Sequence, residues 1–163
     1  MTELCHLQEL FDLFDRLAVP FYLDGGWGID CLLGRQTRPH RDVDIFIEEK
    51  HAAVLLPALG ELGYQEIPTP YTTPAHGEYQ NPAGAIIDLH RMKVTPHGLL
   101  YEGELFPGDT FGGRGRLLGR TLCCTRADYQ LLFHQGYAID DNDRLDMHHL
   151  CAAFDLPLPE SYQ

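Results

Sequence analysis

A short run beginning at Asp42 places two aspartates one residue apart, in front of a string of apolar residues. In a β-strand, side chains two positions apart point to the same face, so Asp42 and Asp44 project together. The other face of this strand is apolar, with Val43, Ile45 and Ile47. Two carboxylates on one face favour a cation between them, and Mg²⁺ is typically held by one or two carboxylates together with substrate phosphates. The chemistry implied is phosphoryl or nucleotidyl transfer.

A glycine pair, Gly25 and Gly26, lies upstream of these aspartates, with fifteen residues between Gly26 and Asp42. The pair is predicted to form a tight turn between a strand at Phe21–Leu23 and a helix at Trp27–Leu33 that Gly34 ends. Glycine lets the backbone approach a ligand closely, and a helix N-terminus favours an anion such as a triphosphate. The Rossmann glycine pattern and the P-loop are both absent from the chain, so the pair points to phosphates only together with the aspartates.

A third carboxylate, Asp88, stands in an apolar stretch that predicts a strand over Ala85–His90. An aspartate among isoleucine and leucine is costly without a partner. If this strand lies beside the one with Asp42 and Asp44, three carboxylates converge, and Asp88 either binds metal or acts as a general base on an attacking hydroxyl. Taken alone, Asp88 is as well explained as a hydrogen-bonded aspartate at a strand end.

A basic segment lies directly before the two aspartates, with Arg35, Arg38, His40 and Arg41. Arginine suits bidentate contacts to phosphate, and a metal at the aspartates would hold phosphates within reach. The alternative is a solvated basic loop. A second basic segment, Gly112–Arg116, contains Arg114 and Arg116 and is predicted to be the tip of a β-hairpin, which needs no ligand.

Composition excludes several classes of function. The chain has 24 acidic and 12 basic residues, a formal net charge of −12, so a broad nucleic-acid-binding surface is not expected. An acidic cleft attracts cationic small molecules, although an acidic net charge can also serve solubility alone.

Ser161 is the single serine and lacks a nucleophile elbow, and the adjacent His148 and His149 cannot form the ligand pair of a zinc protease.

We expect a cytoplasmic protein without a membrane span. The five cysteines are odd in number and lack C-x-x-C spacing, which fits a reducing compartment. The first residues have no basic and apolar leader pattern, and nowhere do about 18 apolar residues run together.

The 163 residues fit a single α+β domain, with a core at about 20–124 and closing helices at about 126–155. Proline and glycine between residues 63 and 122 predict hairpins, and the final residues are expected to be mobile. The predicted helices cover 4–18, 27–33, 49–62 with an interruption at Pro57, a helix capped by Thr125 that runs to Gly136, and 142–154. The predicted strands cover 21–23, 43–48, 76–80, 85–90, 98–104 and 116–124.

Four segments together resemble the nucleotidyltransferase superfamily, and more narrowly the small lincosamide nucleotidyltransferases and their aminoglycoside-2''-adenylyltransferase relatives. They are Leu23–Asp30, His40–Ile45, Asp88–His90 and Gln130–Tyr137. The resemblance implies a mixed sheet flanked by helices, with C-terminal helices. It also implies transfer of a nucleoside monophosphate from ATP or another nucleoside triphosphate to a hydroxyl of an antibiotic, with release of pyrophosphate.

The resemblance implies roles for individual residues. Asp42 and Asp44 would bind two Mg²⁺ ions, and Asp88 would be the base and a further metal ligand. The nucleotide would lie near Gly25, Gly26, Arg38, His40 and Arg41. In the last helix Asp143 and Asp146 match acidic positions, for which a structural role is at least as plausible as a ligand contact.

The acceptor site is expected on the segment Pro68–Gly84 and on the strand that follows it. Glu78, Tyr79 and His90 are the predicted substrate-binding residues, although an edge-strand role explains Glu78 and Tyr79 equally well. A homodimer is a possible assembly. Two other hypotheses stay open: a toxin–antitoxin nucleotidyltransferase acting on a protein or RNA, and a nucleotide-binding module without turnover.

Overall fold

A mixed β-sheet organises the computed structural model, which describes residues 1–135 and 138–163. The helices are α1 (Leu4–Leu17), α2 (Gly25–Leu33), α3 (Ala52–Glu61), α4 (Ala127–Phe133) and α5 (Asp141–Phe154). The strands are β1 (Phe21–Asp24), β2 (Asp42–Glu48), β3 (Gln65–Ile67), β4 (His76–Gln80), β5 (Ile86–Thr95), β6 (Gly98–Tyr101), β7 (Glu104–Phe106), β8 (Gly113–Leu117) and β9 (Arg120–Cys124). Short 3₁₀ helices cover Glu49–His51 and Glu160–Tyr162.

The strands lie in the order β3-β4-β5-β2-β1-β9-β8, and the hairpin of β6 and β7 continues from the far end of β5. The pairs β2/β5 and β1/β9 are parallel, and the other pairs are antiparallel. Helices flank this sheet, which confirms the predicted α+β fold with its C-terminal helices.

One face of the central strands forms the main core. Ile45, Ile47 and Leu89 are fully buried there, with alternate residues of neighbouring strands. The opening helix α1 has its apolar residues at spacings of three and four, as predicted, and packs that stripe against the same face. The buried side chains of the stripe are Leu7, Leu10, Phe11, Leu13 and Phe14.

The strand registers place four acidic residues in one row on the opposite face. Asp44 of β2 pairs with Asp24 of β1 on one side and with Asp88 of β5 on the other, and Asp88 pairs with Glu78 of β4. Residues paired in register project to the same face of a sheet. This row, Asp24–Asp44–Asp88–Glu78, is called the carboxylate row below.

The glycine pair does not form the separate turn that its sequence predicts. Gly25, with φ of 54°, is the first residue of α2, so the strand passes directly into the helix. The predicted interruption at Pro57 is also absent, because α3 continues through that residue. This helix is preceded by the 3₁₀ turn rather than starting at Glu49.

The glycine-rich segment near residue 113 is a strand, so the prediction of a hairpin tip there is wrong. The segment forms β8, and the tip lies at Leu118 and Gly119, which have φ of 51° and 74°. Gly115 is required where α2 crosses β8, because a Cβ there would lie 1.9 Å from the carbonyl oxygen of Cys31. The predicted strand at 98–104 is likewise a hairpin, β6 and β7.

The C-terminal region differs from prediction in two places. Arg126, not Thr125, is the N-cap residue of α4, and the predicted end of this helix at Gly136 lies outside the described residues. The final residues are packed rather than mobile, since Tyr162 is 1% exposed and its hydroxyl donates to the carbonyl oxygen of His134. No helix in the described part of the chain has the length and apolar character of a membrane span.

Candidate active site

A cleft of about 720 Å³ lies over the Asp24 and Asp44 end of the carboxylate row, whereas Asp88 and Glu78 of that row do not line it. The start of α2, the segment before β2 and the beginning of α5 form its walls. It brings together most of the residues that the sequence singled out: Gly25, Gly26, Arg38, His40, Arg41, Asp42, Asp44 and His90 all line it.

The two glycines line the floor of this cleft because no side chain fits there. A Cβ on Gly25 would lie 2.2 Å from Oδ2 of Asp44, and a Cβ on Gly26 would lie 2.4 Å from Nδ1 of His40. Backbone amides at the start of α2 are therefore close to the first carboxylates. Free N–H groups at a helix N-terminus favour an anion in that position.

The predicted metal ligands are carboxylates whose charge is poorly compensated by the protein. Burial raises the pKa of Asp44. Burial and the neighbouring Asp44 charge raise the pKa of Asp42, and the same two causes, burial first, raise the pKa of Asp88. A bound divalent cation would relieve this repulsion, and oxygen ligands suit Mg²⁺. The residues present therefore fit a divalent metal.

Asp88 is held by a histidine that the sequence did not single out. Its Oδ1 accepts a hydrogen bond from Nε2 of His76, whose ring stacks on His90 with centroids 4.4 Å apart. His90 Nε2 lies 3.9 Å from Oδ1 of Asp88 and 4.0 Å from Oδ1 of Asp44. Burial lowers the pKa of His90, and its Nδ1 is 2.8 Å from the hydroxyl of Tyr101. These histidines fix the direction of the Asp88 carboxylate.

Arg38 is oriented by Asp146, which assigns a structural role to that acidic residue of α5. The guanidinium donates to both carboxylate oxygens of Asp146, at 2.9 and 2.6 Å. Asp146 is 1% exposed, so the pair is largely withdrawn from water. A bidentate pair of this kind holds an arginine in one orientation.

His40 is fixed in the same way by another buried acid. Its Nε2 lies 2.6 Å from Oδ2 of Asp30, and its ring lies against Trp27 with centroids 4.3 Å apart. Asp30 is fully buried and also accepts hydrogen bonds from Thr37. Arg38 and His40 of the basic segment therefore form a fixed wall of the cleft, whereas Arg35 is exposed and does not line it.

Arg41 joins Asp42, a predicted metal ligand, to Glu78 on the predicted acceptor side. It donates to Oδ2 of Asp42 at 2.7 Å and to Oε1 of Glu78 at 2.6 Å. The hydroxyl of Tyr71 donates to the same oxygen of Glu78 at 2.5 Å. Glu78 is 4% exposed, so its carboxylate is committed to these two donors.

Tyr79 is not brought to the cleft, and this part of the predicted acceptor site is wrong. Tyr79 neighbours Glu78 along β4, so its side chain points to the other face and packs in the main core, 8% exposed.

Arg114 and Arg116 are exposed on β8 and do not line the cleft. Asp143 lines the cleft wall, where it forms a reciprocal cap with Asp140 at the start of α5.

Asp24 completes the site and was also missed. Burial raises the pKa of its carboxyl, and the Asp44 charge adds to the effect, whereas the Thr125 hydroxyl lowers it. Asp24 stands immediately before the glycine pair, and that position was the available signal. His76 and Asp30 had no comparable signal, because their roles depend on partners brought close only by the fold.

Comparison with known proteins identifies the family. The model of the aminoglycoside-2''-adenylyltransferase family matches residues 6–150. A lincosamide resistance protein of Staphylococcus haemolyticus is 31% identical over 153 residues, which cover 88% of this chain and 92% of that protein.

Solved structures agree with this assignment. The lincosamide antibiotic adenylyltransferase LnuA, bound to lincomycin, superimposes with a TM-score of 0.78 at 28% identity, covering 91% of this chain and 96% of LnuA. ANT(2'')-Ia in complex with adenylyl-2''-tobramycin gives a TM-score of 0.75 at 18% identity, covering 93% and 88%, and shares the fold. The chain belongs to the aminoglycoside-2''-adenylyltransferase family, which confirms the sequence-based prediction of a nucleotidyltransferase.

Proposed function

We propose that this protein transfers a nucleoside monophosphate from ATP, or another nucleoside triphosphate, to a hydroxyl of a lincosamide antibiotic. The observation that carries the proposal is the register of Asp44 with Asp88 beside the N-terminus of α2. That arrangement offers a metal site and a phosphate site in one cleft, with the proposed base Asp88 next to His90 in the cleft wall.

The triphosphate would lie along the start of α2. Gly25 and Gly26 line the cleft at the start of this helix, and Arg38 and Arg41 line its side. Arg38 is already held in place by Asp146, so its contact to a phosphate needs little further ordering. His40 supports the same wall through Asp30.

Asp42, Asp44 and Asp88 are the side chains that would hold the divalent metal, with two Mg²⁺ ions as the proposed number. When bound, the metal draws electrons from the phosphoryl oxygens and stabilises the charge that develops on them. The protein supplies carboxyl groups whose pKa is raised, and a bound cation would lower that pKa again by stabilising the charged form.

Asp88 would act as the general base. The acceptor hydroxyl oxygen attacks the α-phosphorus, a new P–O bond forms, and the bond from the α-phosphorus to the bridging oxygen breaks. Pyrophosphate leaves with that electron pair, and the hydroxyl proton passes to Asp88. Burial raises the pKa of Asp88, which makes it a stronger base than an exposed aspartate.

A lincosamide is preferred to an aminoglycoside as the acceptor. The lincosamide resistance protein is 31% identical over 88% of this chain, whereas the aminoglycoside enzyme ANT(2'')-Ia is 18% identical. On the acceptor side of the cleft, His90 and Glu78 flank Asp88. Glu78 would act mainly through Arg41, because its carboxylate is already occupied.

Pyrophosphate release with Mg²⁺ and ATP, in the presence of lincomycin or of tobramycin, tests this proposal. We expect release with lincomycin, a product heavier by one nucleoside monophosphate in mass spectrometry, and no release with Asp44→Asn. Asp12→Asn, an exposed aspartate of α1, is the matched control and should behave as wild type. Metal-dependent nucleotide binding without turnover of any acceptor would favour a non-catalytic module instead.

A homodimer is the proposed state of the protein in solution. Light scattering coupled to size-exclusion chromatography measures the molar mass directly. A molar mass near that of one chain would contradict the dimer.

A further inference from the structure

An apolar pocket of about 190 Å³ opens beside the cleft on the same face of the sheet. Phe46, Met92, Leu99 and Phe111 form a buried cluster at this pocket that is separate from the main core. The rings of Phe46 and Phe111 are 4.9 Å apart. The described lining is almost entirely apolar, with Phe106 and Phe133 closing it.

The pocket is continuous with the catalytic carboxylates. Phe46 and Tyr101 line both the pocket and the cleft. His90 stacks on Phe46 with centroids 4.4 Å apart, and it bonds Tyr101 on its other side. Since His90 also lies 3.9 Å from Asp88, a molecule whose hydroxyl meets Asp88 can extend over His90 into the pocket.

One carboxylate stands where the pocket meets the cleft. Asp24 lines both cavities, and its Oδ1 is buried without a hydrogen bond of ordinary geometry to any described residue; the Thr125 hydroxyl is the nearby group that acts on this carboxyl. A buried carboxylate oxygen needs a donor, and a cationic donor compensates its charge as well. The pocket therefore combines an apolar volume with a negative charge at its mouth.

We propose that this pocket holds an alkyl-substituted, positively charged amine of the acceptor, with the ammonium N–H donating to Asp24 and the alkyl group among the aromatic rings. This inference rests on the proposed function and narrows it. Lincomycin carries a propyl chain on an N-methylpyrrolidine and so matches both parts. Aminoglycosides carry several ammonium groups and no comparable alkyl chain, so they would leave the apolar volume unfilled.

A nucleobase is the competing occupant, because aromatic rings also stack on bases. The position of the proposed triphosphate site favours the acceptor over the nucleobase as the occupant of the pocket. Gly25 lies beyond Asp24 toward the Asp42 end of β2, whereas Phe46 and the pocket lie toward the other end of that strand. An acceptor and a nucleobase in the pocket lead to opposite predictions for nucleotide affinity.

Binding of lincomycin and of a lincomycin analogue lacking the propyl chain, measured by isothermal titration with Mg²⁺ and a nonhydrolysable ATP analogue, tests the pocket without any variant. Loss of three buried carbons should raise the Kd on the order of 50-fold. Equal affinities for the two compounds would overturn the proposal.

The variant Leu99→Trp fills the pocket from β6. We expect it to weaken lincomycin binding at least tenfold, by about the loss of two buried carbons, and to leave the Kd of the nucleotide analogue unchanged. Leu105→Trp is the matched control, since Leu105 is 55% exposed on the neighbouring strand β7 and does not line the pocket. Weaker nucleotide binding in Leu99→Trp alone would assign the pocket to the nucleobase.

Asp24→Asn tests the charge at the mouth. Loss of a charged hydrogen bond should raise the Kd of lincomycin about tenfold to a hundredfold. An unchanged Kd would remove the ammonium contact from the proposal. Failure of the proposed function is distinguishable, because it appears as absent turnover while the binding series still reports on the pocket.

Discussion

Side chains of the central strands β2 and β5 alternate between the two faces of the sheet, and the two faces have opposite chemical character. On the core face Ile45 and Leu89 are fully buried among apolar side chains. On the other face Asp44 and Asp88, one residue away in each strand, carry carboxyl groups with raised pKa values. The first face contributes stability, and the second gathers carboxyl groups that a cationic ligand would stabilise. Neighbouring residues in one strand can therefore be tested against each other.

The largest effect is expected for Asp44→Asn. Loss of a metal-binding carboxylate should remove several kcal/mol of transition-state stabilisation, so kcat/KM should fall on the order of a thousandfold. The melting temperature of the ligand-free variant should equal or exceed that of wild type, because a partly buried charge next to other carboxylates is lost. Turnover assays and thermal unfolding without metal measure the two. A strongly destabilised variant would contradict the division between the faces.

Leu89→Ala tests the core face directly beside Asp88. Removing a fully buried leucine side chain should lower the free energy of unfolding by about 2–5 kcal/mol. Chemical denaturation gives this value, and turnover measured well below the melting temperature should stay within a few-fold of wild type. Loss of activity in the folded variant would show that the core face also shapes the site.

Asp88→Asn is the matched change on the other face of the same strand. Removal of a general base should lower kcat about a hundredfold, while the nucleotide analogue binds as in wild type. The analogue's Kd from isothermal titration is the control. Equal loss of nucleotide binding in Asp44→Asn and Asp88→Asn would show that Asp88 acts mainly by holding the metal and would contradict its role as the base.

Asp146→Asn tests the wall of the cleft, where α5 orients Arg38. The variant keeps its size but loses the charge that holds the guanidinium, so KM for the nucleotide should rise about tenfold with kcat little changed. Asp128→Asn, which disturbs the exposed pair with Arg126, is the control. A fall in kcat at unchanged KM would contradict a positioning role.

The smallest effect concerns pH. Because the pKa of Asp44 is raised in the folded protein, the folded state binds more protons than the unfolded chain between about pH 4 and the raised pKa. The stability that this group contributes is thus present at the acidic end and is lost as the pH rises through the folded-state pKa. The free energy of unfolding of wild type minus that of Asp44→Asn, measured as a function of pH in EDTA, isolates the contribution of this carboxyl group. A difference independent of pH would contradict the raised pKa.

The fold was largely predictable from residues close in sequence. Alternation in β2, the apolar stripe of α1 and the glycine after α2 each act locally, and each prediction is confirmed. The predicted position of the β8 hairpin tip was wrong because Gly115 is needed for the close contact of β8 with Cys31 of the distant helix α2. Sequence spacing cannot reveal such a long-range requirement.

The site was predictable where its residues share one strand or one turn. Asp42 and Asp44 share one strand and Gly25 and Gly26 begin one helix, and the pairing of β1 with β2 brings the two pairs together. Arg38 and Asp146 meet across 108 positions, and no pattern in either segment indicates the partner. Strand alternation alone excludes Tyr79 from the site, because adjacent residues of a strand point to opposite faces and Glu78 lies on the face of the carboxylate row.

The ten-residue strand β5 carries Asp88 within the sheet and Met92 in the wall of the apolar pocket. Four residues of extended chain span about 13 Å. In the proposed complex, strand β5 would therefore set the distance between the reacting hydroxyl and the alkyl group of the acceptor. Molecules in which these two groups lie much nearer or farther apart would be rejected by length alone.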